Sequence, residues 1–254
     1  TLVSLSANVA HLHAVAWSTD GKALGAVSRD RRVLVWRDKG EHKILSQVLT
    51  GAEDTLRGLA FSPDGKMVVA SGEDRHLVIW DLEGDSPSLK PTKHEAAINA
   101  LAFTPDGRSI LSAGDDGTVR VWNIKRDAET MVWKGHLAAV RFLAVSPDGK
   151  VLASASDDQT VRLWETSTGQ SRGVLKSHRG PVTSVAFSPD GKYLLTGSQD
   201  RTIDVWLHAK GKLLKPLRKE GASGVVTLAA QGAHIVSASS DGMLTLWEIT
   251  GTRP

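Results

Sequence analysis

The chain has 254 residues, of which 41% are hydrophobic and 23% charged, and its net charge is +3. This composition is typical of a soluble globular protein that buries a sizeable core, and so weak a positive charge does not indicate nucleic-acid binding. The absence of cysteine excludes disulfides and thiolate metal ligands and is compatible with any compartment. No apolar run approaches the roughly 18 residues of a membrane span, so we expect no membrane partner. The expected location is the cytoplasm.

An aspartate followed six residues later by a tryptophan recurs six times, and the tryptophans are 44, 42, 42, 42 and 41 residues apart. The six pairs are Asp30 and Trp36, Asp74 and Trp80, Asp116 and Trp122, Asp158 and Trp164, Asp200 and Trp206, and Asp241 and Trp247. A period in this range predicts a stacked repeat architecture. Because the repeat continues without a break in composition, we expect residues 1–254 to form a single domain.

Each repeat predicts three or four short antiparallel strands, and the fifth is the clearest. An apolar run at Val182–Phe187 precedes a Ser-Pro-Asp-Gly turn at 188–191. In the third strand we expect the polar residues Thr202 and Asp204 to point outward, and the stretch 212–217 supplies a fourth, outer strand. The same kind of turn occurs in the first four repeats, at Ser18–Gly21, Ser62–Gly65, Thr104–Gly107 and Ser146–Gly149.

These repeats resemble the WD40 repeats of β-propellers, and the resemblance covers nearly the whole chain. In that family each blade carries a hydrogen-bonded tetrad of His, Ser or Thr, Asp and Trp. Three repeats match it in full, with His94, Ser112, Asp116 and Trp122; His136, Ser154, Asp158 and Trp164; and His178, Thr196, Asp200 and Trp206. The resemblance implies a structural role, because a buried indole N–H and a buried carboxylate are costly unless they are paired.

The other three repeats depart from the tetrad. The departures are Asn8 and Ala26 in the first repeat, Ala52 and Ala70 in the second, and Gly221 at the histidine place of the sixth, which keeps Ser237. We expect these three blades to be less rigid than the central ones. Outside the repeat period, we expect Trp17 to lie in the core and Trp133, in an outer strand, to pack against its own blade.

The resemblance also implies how the propeller closes. Thr1 to Leu5 occupy the place of an outer strand, and the sixth repeat lacks one. The family's usual closure pairs these ends, which implies an all-β propeller of six four-stranded blades without an open edge. The alternative is a fragment of a seven-bladed or larger propeller.

No catalytic, cofactor or metal site is predicted. The Ser or Thr, His and Asp of the tetrads are repeated and expected to be buried, whereas a hydrolase needs one exposed nucleophile beside an oxyanion hole. His11 and His13 have a metal-like spacing, but two ligands are too few for structural zinc. The basic stretch from Lys210 to Lys219 is better explained as a sheet edge protected by lysines than as a nucleic-acid surface.

The resemblance places partner contacts on the narrower top face around the central channel, three and five residues after the histidine place and one before the tetrad aspartate. The implied contact residues are His11, His13, Arg29, Thr55, Arg57, Glu73, Asn99, Asp115, Arg141, Asp157, Thr183 and Gln199. Ala97, Ala139, Pro181, Gly224, Val226 and Ser240 occupy the equivalent positions. We expect Arg57 to pair with Glu73, and Arg141 with Asp157, each within one blade.

The leading functional hypothesis is therefore a non-catalytic scaffold that binds a protein or peptide partner on this face. The regular Ala-Phe-Ser-Pro-Asp-Gly turns also resemble those of sensor propellers in bacterial kinases, proteases or signalling ATPases. The second hypothesis is accordingly a recognition domain fused to, or assembled with, such an effector. An enzyme or a nucleic-acid-binding protein is less favoured.

Overall fold

A computed structural model describes residues 11–39, 42–84, 86–218, 223–231 and 234–248. The chain divides into two compact units, Thr1–Met131 and Val132–Pro254. The described residues form β-strands and one 3-10 helical turn, His208–Lys210. A search of these residues for a helix long and apolar enough to span a membrane finds none.

Three antiparallel sheets, blades 1 to 3, account for the strands up to β12. The strands are β1 Leu12–Trp17, β2 Ala23–Ser28, β3 Val33–Lys39 and β4 His42–Leu49 in blade 1; β5 Leu56–Phe61, β6 Met67–Gly72, β7 His76–Asp81 and β8 Ser88–Pro91 in blade 2; and β9 Ile98–Phe103, β10 Ser109–Gly114, β11 Val119–Asn123 and β12 Ala128–Trp133 in blade 3. All belong to the first unit except for the last two residues of β12. In each blade the strands pair in chain order.

The second unit contains blades 4 to 6. The strands are β13 Val140–Val145, β14 Val151–Ser156, β15 Thr160–Glu165 and β16 Ser171–Lys176 in blade 4; β17 Val182–Phe187, β18 Leu194–Ser198, β19 Thr202–Leu207 and β20 Lys212–Arg218 in blade 5; and β21 Val225–Gln231, β22 His234–Ser239 and β23 Leu244–Glu248 in blade 6. The predicted class, an all-β propeller with six blades, is confirmed. Within the described residues blade 6 has three strands, and its predicted closing strand, Thr1 to Leu5, lies outside them, as do Asn8 and Gly221.

The four-residue turns join the first two strands of a blade through recurring side-chain bonds. In blade 4 the Val151 amide donates to the Ser146 hydroxyl at 2.9 Å, and this hydroxyl donates to the Asp148 carboxylate at 2.7 Å. Gly149 has a φ of 73°, in the left-handed region that side chains resist. The hydroxyl accepts the amide five residues later in blades 1, 2, 3 and 5 as well, at Ser18, Ser62, Thr104 and Ser188.

The hydrophobic core lies between neighbouring sheets, because a sheet buried on both faces must pack against one neighbour on each side. The phenylalanine that ends the innermost strand packs against the preceding blade, as Phe61 does with Val35 and Phe187 does with Leu163. Trp17 holds this place in blade 1. It is 55% exposed, so the expectation that it lies in the core is wrong.

The expectation that Thr202 and Asp204 point outward into solvent is also wrong. Both are buried, and only 3% of Asp204 is exposed. Asp204 accepts a hydrogen bond from the Ser177 hydroxyl and lies 3.7 Å from Nε2 of His178. The alternation along the strand is real, but the polar residues face the tetrad of their own blade instead of water.

Trp133 is buried, with 4% of its surface exposed, and it also contacts a residue of the next blade. Its ring centroid lies 5.9 Å from that of Trp164 in blade 4, and both residues belong to the second unit. Gly169 makes room for it, because a Cβ at this glycine would lie 2.2 Å from Nε1 of Trp133. The sequence did not predict this contact, because it depends on how an outer strand meets a neighbouring sheet.

Candidate partner-binding face

Each innermost strand has a break in register near its start, of the kind produced by a β-bulge. The residue left out of the register is at the same place in all six blades: His13, Arg57, Asn99, Arg141, Thr183 and Val226. A bulge leaves one residue unpaired and redirects its side chain. All six residues had been assigned to the top face from the sequence. We call this end of each blade the bulge end.

The remaining predicted contact residues lie at the same bulge ends. In every blade the residue before the tetrad aspartate donates its backbone N–H, at 2.9 to 3.0 Å, to the carbonyl two residues before the bulged residue. The donor–acceptor pairs are Arg29 and His11, Glu73 and Thr55, Asp115 and Ala97, Asp157 and Ala139, Gln199 and Pro181, and Ser240 and Gly224. The structure thus brings together the three predicted positions of each blade.

Arg57 is held by carboxylates and an amide at the bulge ends of blades 2 and 3. Its guanidinium contacts Glu73, as predicted, and its Nη1 also donates to Asn99 at 2.8 Å and to Asp115 at 3.2 Å. The Asn99 amide donates to Asp115 at 2.8 Å. The sequence missed this bridge, because it depends on how two blades pack.

Arg141 makes the predicted pair within blade 4, where its Nε donates to Asp157 at 2.9 Å. His11, His13 and Arg29 are exposed in blade 1. Burial, followed by the nearby Arg29 and Arg57, holds the pKa of His13 below its usual value. The bulge ends therefore combine paired charges with exposed basic side chains.

A cavity of about 520 Å³ opens at the bulge ends of blades 5 and 6. Its lining includes the predicted residues Thr183, Gln199, Gly224, Val226 and Ser240, together with Arg201, Ser223 and Val225. Sequence reasoning missed Arg201. The available signal was its place after the tetrad aspartate, where the backbone is left-handed and Arg201 has a φ of 72°.

The tetrads of blades 4 and 5 are complete. In blade 4, His136 contacts Asp158 through Nδ1 at 2.8 Å and Ser154 through Nε2 at 2.7 Å, and Trp164 Nε1 donates to Ser154 at 2.8 Å. Ser154 is fully buried, so its hydroxyl is not an accessible nucleophile. The bonds in blade 5 are equivalent, with distances of 2.7 to 3.1 Å among His178, Thr196, Asp200 and Trp206.

Blade 3 lacks one of the predicted tetrad bonds. His94 contacts Asp116 at 2.8 Å and Ser112 at 2.9 Å, but Trp122 Nε1 has no hydrogen-bond partner among the described residues. The prediction of a complete hydrogen-bonded tetrad is therefore wrong for this blade. The residue types of a repeat predict which tetrad side chains lie close together. Whether the tryptophan N–H forms its hydrogen bond depends on how the indole ring packs.

Two of the degraded blades satisfy their tryptophans differently. In blade 2, Trp80 Nε1 donates to the Thr50 carbonyl at 2.9 Å, and Asp74 accepts the Glu53 amide at 3.2 Å. In blade 6, Trp247 Nε1 donates to Ser237 at 2.9 Å. Blade 2 thus uses a backbone carbonyl as the partner of the indole, whereas blade 6 keeps the hydroxyl partner found in blades 4 and 5.

The charged form of Asp158 is stabilised despite partial burial. Burial alone would raise its pKa, but hydrogen bonds from Thr160, the Leu137 amide and His136 lower it to about 2. Burial lowers the pKa of His136 against the opposing effect of Asp158. The pKa values of Asp116 and Asp200 are lowered by the same kinds of bonds, which outweigh their burial.

Acid is therefore expected to destabilise the fold in two stages. His136 has a lowered pKa in the folded state, so the unfolded chain takes up the proton first as the pH falls below 6.5, the ordinary histidine value. Asp158 contributes stability above its ordinary pKa of 3.8, and this is lost as the pH falls towards 2. Urea midpoints measured between pH 7 and pH 3 should fall throughout, and His136→Gln should flatten the first stage. A midpoint that rises on acidification would contradict these assignments.

Within the described part of the chain, no group of three His, Asp or Glu side chains is arranged to hold a metal ion. A family model described as "WD domain, G-beta repeat" matches residues 2–37, 43–81, 86–123, 128–165 and 169–206. These matches cover well over half of the chain and correspond to its first five repeats. No curated protein matches the chain.

Proposed function

The chain belongs to the WD40-repeat family, and from that premise we propose that it is a non-catalytic scaffold that binds a protein or peptide partner at the bulge ends of its blades. WD40 propellers typically mediate protein interactions. The assignment of the binding surface is argued from the residues of this chain and not from the family. The alternative of a recognition domain within a larger effector would use the same surface.

The observation that carries this proposal is the variety of the bulged residues. Five of the six blades share a Ser or Thr hydroxyl turn, and all six share the Asp and Trp spacing, because the fold requires them. The bulged position has the same backbone environment in every blade, yet it holds His, Arg, Asn, Arg, Thr and Val. The fold does not select these side chains, and their variety supports recognition as their role.

The geometry suits a partner that contacts several blades. Strand ends and short turns held by a sheet present side chains that have already lost much of their conformational freedom, so binding orders little more. The charges at these ends are mixed, with Arg57 and Arg141 close to acids and His11 and Arg29 exposed. Such a pattern favours a polar polypeptide surface over a single small ligand.

The tetrads support a non-catalytic role. Their Ser, His and Asp are satisfied by one another, and the Ser154 and Thr196 hydroxyls are fully buried. A nucleophile must be reachable by substrate and must face an oxyanion site. The polar groups that resemble hydrolase residues thus serve the framework of the blade.

The proposal is tested by reversing charge at the bulge ends of two blades. The tagged chain and its Arg57→Glu, Arg141→Glu double variant would each be used to capture partners, followed by mass spectrometry. We expect the double variant to lose the proteins that the unmodified chain retains, because each arginine lies at a bulge end assigned to binding. Circular dichroism should show that the β structure persists.

A matched control changes the same charges at the opposite strand ends of the same two blades. Lys66→Glu with Lys150→Glu alters the exposed hairpin turns that follow β5 and β13, far along those strands from Arg57 and Arg141. This variant should retain the captured proteins. Equal capture by both double variants would place the binding surface elsewhere and refute the proposal.

A further inference from the structure

The cavity at the bulge ends of blades 5 and 6 differs in charge from the surface around Arg57. Among the described residues that line it, Arg201 is the only charged one, and none is acidic. Thr183 is already committed, since its hydroxyl donates to the Val225 carbonyl at 2.6 Å. Gln199, Ser223 and Ser240 add polar side chains, and the exposed Val226 adds an apolar one.

In blades 2 and 3, the residues that precede the tetrad aspartates are acidic. There the bulged Arg57 lies against Glu73 and Asp115, the residues that precede the tetrad aspartates. In blades 5 and 6 those preceding positions are held by Gln199 and Ser240. Among the described residues, the two acids found between blades 2 and 3 therefore have no counterpart at the cavity. Its cation, Arg201, lies one residue after the tetrad aspartate and not at the bulged position, which Thr183 holds.

Arg201 is available to a ligand. No side chain among the described residues hydrogen-bonds to its guanidinium. The nearest acid in sequence, Asp200, is committed to its tetrad, because it accepts hydrogen bonds from His178, Thr202 and the Arg179 amide. An arginine beside an open cavity, with no acidic partner in the described part of the chain, favours an anionic ligand.

We infer that this cavity binds the carboxylate of a glutamate or aspartate side chain in an acidic segment of the partner polypeptide. The carboxylate accepts hydrogen bonds from Arg201, with the Gln199 amide and the Ser240 hydroxyl as further donors. The methylene stem of the acidic side chain packs against Val226. This inference rests on the proposed function, because it names the chemistry of a partner bound at the bulge ends.

The probe is the capped peptide acetyl-Gly-Ala-Glu-Glu-Ala-Gly-amide, titrated into the isotopically labelled chain and followed by backbone amide signals. We expect the largest shifts at Gln199, Arg201 and Ser240, and no saturable shifts with the same peptide carrying glutamine for glutamate. The capped ends ensure that only side-chain carboxylates are tested. Added salt should weaken binding, because the interaction is between partly exposed charges.

Arg201→Gln is the decisive variant because the backbone tolerates it. Gln159 occupies the equivalent left-handed position of blade 4, with a φ of 68° against 72° at Arg201. Losing a charge-assisted hydrogen bond should weaken binding of the peptide by about tenfold or more. The matched control is Arg75→Gln, at the equivalent position of blade 2 with a φ of 63°, which should leave affinity within about twofold.

Gln199→Glu supplies the missing acid from within the chain and should also abolish binding of the peptide. Equal affinity for the glutamine peptide, an unchanged affinity in Arg201→Gln, or no binding of the glutamate peptide to the unmodified chain would each overturn the inference. None of these results touches the capture experiment with Arg57 and Arg141. If capture still depends on those arginines, the proposed function stands and only the carboxylate site is lost.

Discussion

Trp164→Ala is expected to lower the free energy of unfolding by about 3–5 kcal/mol. Only 3% of the tryptophan is exposed, and its ring lies 5.9 Å from Trp133 and 6.3 Å from His136 between centroids. Its Nε1 donates to Ser154 at 2.8 Å, so truncation leaves both a cavity and a less satisfied hydroxyl. Urea unfolding followed by circular dichroism measures the loss.

Phenylalanine substitutions separate the hydrogen bond from the packing. Trp164→Phe keeps most of the ring and removes the donor to Ser154, whereas Trp122→Phe removes an N–H that has no partner among the described residues. We expect Trp164→Phe to be the more destabilising of the two by about 1 kcal/mol. Equal losses would show that the indole bond adds nothing to the stability of blade 4.

Asp158→Ala is expected to destabilise the fold by about 3–5 kcal/mol, because it removes one half of a buried polar network. The carboxylate accepts hydrogen bonds from His136 at 2.8 Å, from the Leu137 amide at 3.0 Å, and from the amide and hydroxyl of Thr160 at 3.0 and 2.6 Å. All these donors lose their shared acceptor in the variant. Chemical denaturation at pH 7 gives the difference.

The matched control is Asp74→Ala, at the same place in blade 2, where alanines replace the histidine and the hydroxyl residue. Asp74 accepts the amides of Glu53 at 3.2 Å and His76 at 3.1 Å. Because Asp74 has fewer donors and no histidine partner, we expect Asp74→Ala to lower the free energy of unfolding by about 1–2 kcal/mol. If the two variants were equally destabilised, the tetrad would not be a cooperative unit.

Local and periodic features of this chain were predictable. The Asp and Trp period determined the number of blades, and the hydroxyl turns determined where the first two strands of a blade meet, because these depend on residues close in sequence. The positions of the bulged residues followed by counting from the tetrad. The bulge itself was not predicted, because the alternation of polar and apolar side chains does not indicate an extra residue in the innermost strand.

Features that depend on a neighbouring sheet were not predictable. Trp17 and Phe61 hold equivalent places, but Trp17 is 55% exposed, whereas Phe61 is buried in a cluster with residues of blade 1. Asp204 lies at a polar position of an alternating strand, a pattern typical of a surface residue. It is nevertheless buried beside the tetrad of its own blade. Trp122 matches the tetrad in type and spacing and still has no described partner for its N–H.

Some features of the bulge ends were likewise predictable, and others were not. The resemblance of the sequence to WD40 repeats implied the six equivalent positions. The two charge pairs within blades followed from these positions, because each pair joins residues of one repeat. Only the tertiary structure decided that Arg57 also reaches Asn99 and Asp115, and that Arg201 faces an open cavity. Charged side chains recur along the chain with the repeat period. Whether such a side chain forms an ion pair or lies beside a cavity depends on how adjacent sheets pack.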